Sequence, residues 1–337
     1  MTGIRRNAYI YPAGDMLNSY LNHFIHAVEP QFVFLNKDKP SKYGLFDVIK
    51  YVNRLDILFL NWPEEVPERR GGTFQAFFYI LMIFWLKFRK TAICWTFHNK
   101  VSHVQGKTGL KNFLRYFTAR NADFIITHAK EGISLVEKLA QPGYPKIKFF
   151  HHPVLPAINL KPYDEKKYDL IMWGMVTPYK GVDEFLTFIE HEHLDHLKIL
   201  IAGKIGGNAY RDKVLAHRSN TITILDRFIP VDELEMYISQ SRAVLFTYLE
   251  NSILSSGALM DTLRYAPLVI GPACGAFNDL KEEGLILTYN DYAHLKVLLT
   301  DELRFKPDVN KIQQFITENS WENFGKSLGE FIYINSK

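Results

Sequence analysis

Short apolar runs rich in β-branched and aromatic residues recur along this chain, and nearly every run is followed by a polar turn and a helically spaced segment. Alternation of this kind predicts parallel sheets with helices on both faces. The first series of runs is AYIYPA, QFVFLN, ILFLNW, TAICWTFHN and FIITHA. The second is YDLIMWGM, LKILIAGK, ITILDRF, AVLFTYL, LVIGPA and LILTY. The pattern therefore predicts an α/β fold with one sheet in each half of the chain.

A proline-containing segment, FFHHPVLPAINLKPYDEKKYD, separates the two series and lacks an apolar period, as linkers do. The 337 residues also exceed the usual size of one hydrophobic core. We predict two Rossmann-like domains, residues 1–155 and 165–318, that face each other across a ligand-binding cleft. A last helix is expected at 319–337 with Ser320 as its N-cap, and a return to the N-terminal domain is one arrangement open to it.

Composition sets the class of protein. An apolar fraction of 47% with 23% charged residues is typical of a folded globular protein. The net charge of +4 suits an anionic ligand or membrane surface but is too small to indicate nucleic-acid binding. Cys94 and Cys274 lie in apolar runs, as buried thiols of a reducing compartment do. No export signal is recognised in the first residues, so a cytoplasmic protein is expected, with a peripheral position on the inner face of the membrane left open.

One segment, FQAFFYILMIFWLKFRK at residues 74–90, is continuously apolar from Ala76 to Leu86. That run is shorter than the roughly 18 to 20 residues needed to span a bilayer. Its position between two strands favours a helix packed on the sheet. The alternative is partial membrane contact, since cations flank the run on both sides: Arg69, Arg70, Lys87, Arg89 and Lys90.

Two strand ends in the second half carry residues suited to an anion. After AVLFTYL, the residues Ser255, Ser256 and Gly257 precede a helix, whose first amides and dipole favour a phosphate. A serine that only caps this helix is the alternative reading. After YDLIMW, a strand ends at Gly174 and Lys180 follows, where a diphosphate would lie. The two features converge on one crevice.

These stretches stand in a recognisable order: GMVTPYKGVDEFL, KILIAGK, LDRFIPVDELEMYISQSRAVLFTY and SSGALMDTLRYAPLVIGPACGAFNDL. In this order they resemble the nucleotide-sugar glycosyltransferases with the GT-B fold, in particular the group 1 or family 4-like bacterial polysaccharide enzymes, over most of residues 168–290. The resemblance implies a C-terminal donor domain in which Gly174, Lys180 and the Ser255–Gly257 helix start lie at the donor diphosphate. It also implies that Arg227, Phe228 and Ile229 form the loop that reads the nucleotide base, and a buried Phe after a strand is the alternative.

The N-terminal half resembles the acceptor domain of the same enzymes through DILFLNWPEEV and ICWTFHNKVSH. The resemblance places His98 and Asn99 at the acceptor, although His98 also reads as a hydrogen-bonded histidine at a strand end. The turn with Gly14 and Asp15 would be nearest the donor phosphates. An inverting enzyme needs a general base, for which Asp15 and His98 are candidates. In a retaining enzyme, Glu250 would contact the sugar.

The chain departs from the family at two positions. Family 4 members usually have an Arg where Met175 stands, and a Glu-x7-Glu pair of which only Glu250 is present, because Ala258 occupies the second position. The stereochemistry of transfer therefore stays open. No Asp-x-Asp pair is present, and the HEHLDH cluster has no zinc-ligand spacing, so neither a metal nor another cofactor is expected.

We therefore predict a metal-independent, hexosyltransferase-type enzyme that moves a sugar from a nucleotide-sugar donor to a saccharide acceptor, lipid-linked by preference, in surface polysaccharide synthesis. Two other functions remain open. One is another GT-B enzyme, such as a sugar-nucleotide epimerase. The other is a nucleotide-sugar-binding protein without catalytic activity.

Overall fold

The computed structural model describes residues 5–13, 19–37, 44–100, 108–159, 166–249, 253–303 and 305–336. The chain divides into two compact units. The first contains Met1–Pro153 together with Asn319–Lys337, and the second contains Val154–Glu318.

The first unit contains a six-stranded parallel sheet in the order β2-β1-β3-β4-β5-β6. Its strands are β1 (Arg6–Tyr11), β2 (Phe32–Phe34), β3 (Ile57–Asn61), β4 (Ala92–Phe97), β5 (Phe124–Thr127) and β6 (Lys146–Phe149). Its first four helices are α1 (Ser19–Val28), α2 (Gly72–Phe88), α3 (Thr108–Asn121) and α4 (Lys130–Leu139). Short 3-10 helices cover Gly44–Lys50, Val52–Arg54 and Pro63–Glu68.

Strand β6 was not predicted from the sequence. It lies at the edge of the sheet and pairs only with β5, with Phe124 opposite Lys146. Its residues KIKF alternate between exposed and half-buried. The inner strands were identified by continuous apolar runs, and in β3, for example, every residue is buried. An edge strand such as β6 lacks a run of this kind.

The second unit also contains a six-stranded parallel sheet, in the order β12-β11-β10-β7-β8-β9. Its strands are β7 (Tyr168–Trp173), β8 (Ile199–Ala202), β9 (Ile222–Leu225), β10 (Ser241–Leu245), β11 (Leu268–Pro272) and β12 (Leu287–Tyr289). Its helices are α5 (Val182–His191), α6 (Asn208–Ala216), α7 (Val231–Ser239), α8 (Gly257–Leu263), α9 (Gly275–Glu282), α10 (Tyr292–Val297) and α11 (Val309–Glu318). A 3-10 turn at Pro178–Lys180 precedes α5, and a π-helical turn at Leu298–Glu302 follows α10.

The strand order of the second sheet reverses between β7 and β10. From β7 the chain builds outward through β8 and β9, and from β10 it builds the other way through β11 and β12. Ligands of open parallel sheets bind at such a reversal, beyond the carboxyl ends of the strands. A ligand site is therefore expected at the loops after β7 and β10.

The last helix, α12 (Trp321–Asn335), returns to the first unit. Ser320 is its N-cap, because the Ser320 side chain accepts a hydrogen bond from the Asn323 amide. A β-carbon at Gly325 would lie only 1.9 Å from the carbonyl oxygen of Ala27, so glycine lets α12 pack closely on α1. Its apolar face completes the core of that unit with Phe324, Leu328 and Ile332.

The apolar segment at residues 74–90 forms most of α2, which has 17 residues. Within the described ranges, none of the helices combines the length and the apolar character that crossing a bilayer requires.

Candidate functional site

The side chain of Lys180 lies against the end of β7. A β-carbon at position 174 would be 3.2 Å from the Lys180 Nζ, so the absence of a side chain at Gly174 leaves room for the ammonium group. Gly174 also has a φ of +89°, which favours glycine. The strand end and the lysine predicted from the sequence are thus in direct contact.

Hydrogen bonds from the segment after β10 hold the turn that carries Lys180. The Thr247 hydroxyl donates to the Lys180 carbonyl at 2.6 Å, and the Leu249 amide donates to the Tyr179 carbonyl at 3.1 Å. Gly181 has a φ of +65°, and a β-carbon there would lie 2.3 Å from the Thr247 oxygen. The Lys-Gly pair therefore fixes the lysine at the point where the strand order reverses.

Lys180 is half-buried, and its ammonium group is largely desolvated. Burial lowers the pKa of Lys180 to about 8. Its Nζ lies 5.7 Å from the centre of the Tyr248 ring, and no hydrogen bond or ion pair joins it to another residue in the described part of the chain. A buried charge without a partner is unfavourable in the protein alone, and an anion bound beside it would relieve that cost.

Tyr248 connects Lys180 to the start of α8. Its ring faces the Lys180 ammonium, and its hydroxyl lies 2.9 Å from the Ser256 Oγ. Trp173, at the end of β7, donates to the Thr262 hydroxyl of α8 at 2.9 Å. The structure therefore brings together the two stretches that the sequence predicted to converge.

The serines at the start of α8 have different roles. Ser256 is the N-cap, because its Oγ accepts a hydrogen bond from the Leu259 amide at 3.2 Å. The capping role weighed from the sequence is confirmed for this residue. The Ser255 Oγ is buried and has no hydrogen-bond partner among the described residues, while Gly257 is exposed. Ser255 thus places an unpaired hydroxyl beside the first turn of α8.

The loop after β9 carries Arg227, Phe228 and Ile229. Phe228 is 81% exposed, so the alternative of a buried Phe is wrong. The Arg227 guanidinium is bound to the Glu233 carboxylate through both of its terminal nitrogens and also donates to the Phe228 carbonyl at 3.2 Å. Ile229 is half-buried. In the sheet, β8 lies between β7 and β9. The loop after β9 is therefore two strands away from β7, whose end carries the Lys180 site.

Three predicted site residues, Gly14, Asp15 and Glu250, lie outside the described residues. Met175, which stands where relatives have an Arg, is 65% exposed.

In the first unit, His98 follows β4 and is surrounded by aromatic rings. Its imidazole stacks on Trp62 with 4.3 Å between ring centres and meets the edge of Tyr20 at 4.9 Å. The His98 Nε2 lies 2.9 Å from the Asn61 Oδ1 at the end of β3. His98 is therefore a hydrogen-bonded histidine at a strand end, as one reading of the sequence had it. The neighbouring Asn99 is held through its carbonyl, which accepts from Arg115.

Two further histidines lie beside His98, and sequence reasoning missed them. His128 follows β5, and its Nε2 is 2.8 Å from the Tyr20 hydroxyl. Its Nδ1 is 3.0 Å from the Phe150 carbonyl, which can only accept, so Nδ1 carries the proton and Nε2 accepts from Tyr20. His152 follows β6, with 5.2 Å between its ring centre and that of His128. We call His98, His128 and His152 the histidine cluster.

Burial keeps the histidine cluster neutral. It lowers the pKa of His128 to about 3 and that of His152 to about 4, and it holds the pKa of His98 well below the ordinary value. A neutral imidazole has one N–H donor and one acceptor nitrogen, so it can bind polar groups in both ways. The signal in the sequence was that His98 and His128 come directly after predicted strands, in TFH and IITH. His152 had no such signal, because it lies three residues beyond the end of β6, a strand that the sequence did not predict.

Solved structures similar to this chain align over nearly its whole length. HepE from Anabaena, in complex with UDP, shares 9% identity at a TM-score of 0.67, with 97% of this chain and 99% of HepE covered. AviGT4, a glycosyltransferase involved in avilamycin A biosynthesis, shares 12% sequence identity at a TM-score of 0.63, and the alignment covers 97% of this chain and 96% of AviGT4. WaaB, a lipopolysaccharide outer core galactosyltransferase solved in its apo form, shares 14% sequence identity at a TM-score of 0.61, and the alignment covers 97% of this chain and 99% of WaaB. The chain has the GT-B fold.

The GT-B resemblance stated from the sequence is thereby confirmed for the fold. HepE has also been solved with UDP-glucose. No protein-family model matches the sequence of this chain, and no curated protein matches it.

One more titratable group of this GT-B chain lies in the first unit, close to the end of β3. Glu64, three residues after β3, is buried, and burial raises its pKa to about 7. Its Oε2 has no hydrogen-bond partner in the described ranges, while the charge of Arg115 acts on it from nearby and partly opposes the increase. Nothing in the pattern NWPEEV distinguishes Glu64 from its neighbour, so the sequence did not single it out.

The histidine cluster does not form a metal site. Among the residues that the structure describes, no three or more His, Cys, Asp or Glu side chains are grouped so that they could hold a metal ion.

Proposed function

We propose that this chain is a glycosyltransferase that moves a hexosyl group from a nucleotide-sugar donor to a saccharide acceptor. The observation that carries the proposal is the buried Lys180 ammonium, which has no anionic partner in the described part of the chain and lies at the carboxyl end of β7, where the strand order reverses. HepE, which has the same fold, was solved with UDP and with UDP-glucose. A nucleotide diphosphate is the anion that fits both facts.

In this proposal the second unit binds the donor. Lys180 contacts the diphosphate, Ser255 and the first amides of α8 contribute further hydrogen bonds, and the exposed ring of Phe228 takes the nucleotide base. As the bond between the sugar and the diphosphate breaks, negative charge grows on the departing phosphate. Lys180 stabilises that charge electrostatically, which is the role a divalent cation has in other transferases, so we propose transfer without a metal.

The first unit would bind the acceptor. When the acceptor oxygen bonds to the anomeric carbon, its hydroxyl proton must leave, and His98 is the described residue proposed to receive it. The His98 Nε2 faces the Asn61 Oδ1, which can only accept, so the proton lies on Nε2 and Nδ1 keeps the lone pair. Asp15 as the alternative base and Glu250 as a sugar contact remain proposals from the sequence. WaaB is a lipopolysaccharide galactosyltransferase of the same fold, and a lipid-linked saccharide of a surface polysaccharide is the acceptor class that we propose.

A donor panel tests the proposal. We expect one group among UDP-, GDP- and dTDP-sugars to raise the stability of the protein, by about 2.7 kcal/mol at a hundred times the dissociation constant, and EDTA to leave that binding unchanged. The bound donor should then be consumed only when a saccharide acceptor is added. Donor consumption without acceptor would indicate an epimerase, and binding without turnover would indicate a non-catalytic protein. Absence of binding to all of these donors contradicts the proposal.

Phe228 supplies a separate prediction about the nucleotide base. Replacement of Phe228 with alanine is expected to weaken donor binding by roughly tenfold to a hundredfold, because stacking of a base on an aromatic ring contributes about 1–3 kcal/mol. The thermal stability should not change, since the ring is 81% exposed. Calorimetric titration with the donor and with its free diphosphate fragment measures the effect. An equal loss of affinity for a pyrophosphate without a base would contradict the stacking role.

A further inference from the structure

The outer face of α2 exposes a continuous row of large apolar side chains. Their exposed fractions range from 52% for Leu81 to 88% for Phe88. The set is Phe74, Phe77, Leu81, Phe84, Trp85 and Phe88, which we call the α2 face.

The α2 face is one side of the helix rather than a scatter of exposed residues. At 3.6 residues per turn its six members fall within an arc of about 100°. The opposite side packs on the first unit and contains buried residues such as Tyr79, Ile83 and Leu86. A helix that is apolar on both sides normally has protein or lipid on both sides.

Apolar residues of neighbouring elements enlarge the α2 face. Phe46 packs on Phe78 of α2 with 4.6 Å between ring centres, and Ile49 is 59% exposed. On the α3 side, Phe113 and Tyr116 are also exposed. A cavity of about 280 Å³ opens between α2 and the 3-10 helices before it, with an entirely apolar lining: Val48, Ile49, Val52, Phe78, Leu81, Met82 and Trp85. Contiguous apolar patches of several hundred Å² mark protein or membrane contacts.

Cations gather where α2 ends. Arg89 and Lys90 follow its last turn, and both line a second cavity, of about 660 Å³, at the amino ends of β1, β4 and β5. The other cations of this basic cavity are Arg5, Arg6 and Lys87.

Two carboxylates, Asp56 and Asp123, line the basic cavity, and both already accept hydrogen bonds from the protein. Asp56 accepts from the Asn7 amide at 2.7 Å. Asp123 accepts from the Ile93 amide at 2.8 Å and lies 3.8 Å from the Lys87 Nζ. Arg89 and Lys90 form no ion pair with any described residue. The cavity therefore combines cations that have no carboxylate partner among the described residues, Arg89 and Lys90, with a position next to the apolar α2 face.

We propose that the α2 face is an interfacial membrane-binding surface for an anionic bilayer. Its aromatic side chains insert among the acyl chains, and the basic cavity beside its end binds the phosphate of a headgroup. An apolar helix face bordered by cations is the arrangement that binds anionic lipid surfaces. A second copy of the chain fits less well, because antiparallel α2 helices in a two-fold dimer would bring the exposed Arg70 at one end against Arg89 and Lys90 at the other.

Flotation of the purified full chain with vesicles tests this directly. The protein should float with phosphatidylcholine vesicles that contain phosphatidylglycerol, and much less with pure phosphatidylcholine. The double variant Phe77→Ser/Trp85→Ser should lower the partition coefficient at least tenfold without adding charge. The matched control is Val297→Ser/Phe305→Ser, which removes two exposed apolar side chains of the second unit and should float as the natural protein does.

Two further variants separate charge from insertion. Arg89→Gln/Lys90→Gln should weaken binding to the anionic vesicles by about fivefold per residue and leave binding to pure phosphatidylcholine unchanged. Brominated acyl chains should quench tryptophan fluorescence in the natural protein, and Trp85→Phe should remove most of that quenching while the protein still floats.

Three outcomes overturn the inference. The first is failure of the natural protein to float with anionic vesicles, and the second is unchanged flotation of Phe77→Ser/Trp85→Ser. The third is a dimer in sedimentation that this variant dissociates, since the α2 face would then join two copies. The measurements use no donor or acceptor, so the inference does not rest on the proposed function, and either can fail alone.

Discussion

Replacement of Lys180 with methionine is expected to stabilise the protein and at the same time to abolish donor binding. Burial lowers the pKa of Lys180 from 10.5 to about 8, so holding its charge in the folded protein costs about 3 kcal/mol at pH 7. Methionine keeps the apolar stem without the charge. We expect a free energy of unfolding higher by about 2–3 kcal/mol in urea titration, and an affinity for the donor lower by at least a hundredfold.

The sign of the pH dependence follows from the same group. Between pH 8 and 10 the unfolded lysine keeps its proton and the folded one loses it, so the free energy of unfolding of the natural protein rises through this window. Donor binding changes in the opposite direction. Because the diphosphate binds the protonated amine, the dissociation constant should rise by up to about tenfold per pH unit above 8, whereas in Lys180→Met it should not vary with pH.

A matched control distinguishes burial from the mere loss of a cation. Lys213 on α6 is exposed, and Lys213→Met should leave the free energy of unfolding within about 0.5 kcal/mol of its natural value and the donor affinity unchanged. A destabilised Lys180→Met variant would contradict the assignment of the lysine as a buried, unpaired charge. A stabilised variant with full donor affinity would leave that assignment intact and remove Lys180 from the donor site.

Much of the architecture could be predicted from the sequence because buried parallel strands are continuous apolar runs. The exception, β6, lies at an edge, where lysines can alternate with apolar residues. The Lys-Gly pair was visible as a local pattern, but the reason for the glycine is distant in sequence: the carbonyl of Thr247, 66 residues after Gly181, occupies the space of a side chain. The same holds for Ser256, whose hydroxyl both caps α8 and meets Tyr248.

The residues that sequence reasoning missed depend on tertiary contacts. Tyr20 and His128 are 108 positions apart, and only the folded sheet brings their polar atoms together. The exposure of Phe228 is likewise set by its place after an edge strand rather than by its own residue type. For α2 the sequence showed an apolar helix with flanking cations, but which apolar residues face outward was decided by packing.

Acid is expected to destabilise the first unit through the histidine cluster. Unfolded histidines have a pKa near 6.5, whereas burial lowers the pKa of His128 to about 3 and that of His152 to about 4. Between pH 6.5 and 5 the unfolded chain therefore takes up protons that the folded chain does not, and each of these two histidines lowers the free energy of unfolding by about 2 kcal/mol. His98, with a pKa well below the ordinary value, acts in the same direction.

Glu64 opposes this effect over part of the same range. Burial raises its pKa to about 7, so the folded state binds a proton before the unfolded state does, and stability increases by about 2–3 kcal/mol as the pH falls toward 4.5. The histidines outnumber it, so the net change between pH 7 and 5 should still be a loss of stability. Tryptophan fluorescence in urea follows mainly this unit, which contains Trp62, Trp85, Trp95 and Trp321.

A variant isolates the histidine contribution from all other titrating groups. The glutamine of His128→Gln can still accept a hydrogen bond from the Tyr20 hydroxyl but does not titrate. Between pH 7 and 5 the free energy of unfolding of this variant should therefore fall by about 2 kcal/mol less than that of the natural protein. His196→Gln, which removes an exposed histidine of the second unit, is the matched control for the substitution itself. If His128→Gln loses as much stability on acidification as the natural chain, His128 is not a neutral buried imidazole. The proton acceptor proposed at His98 would then lack the apolar surroundings that keep it unprotonated.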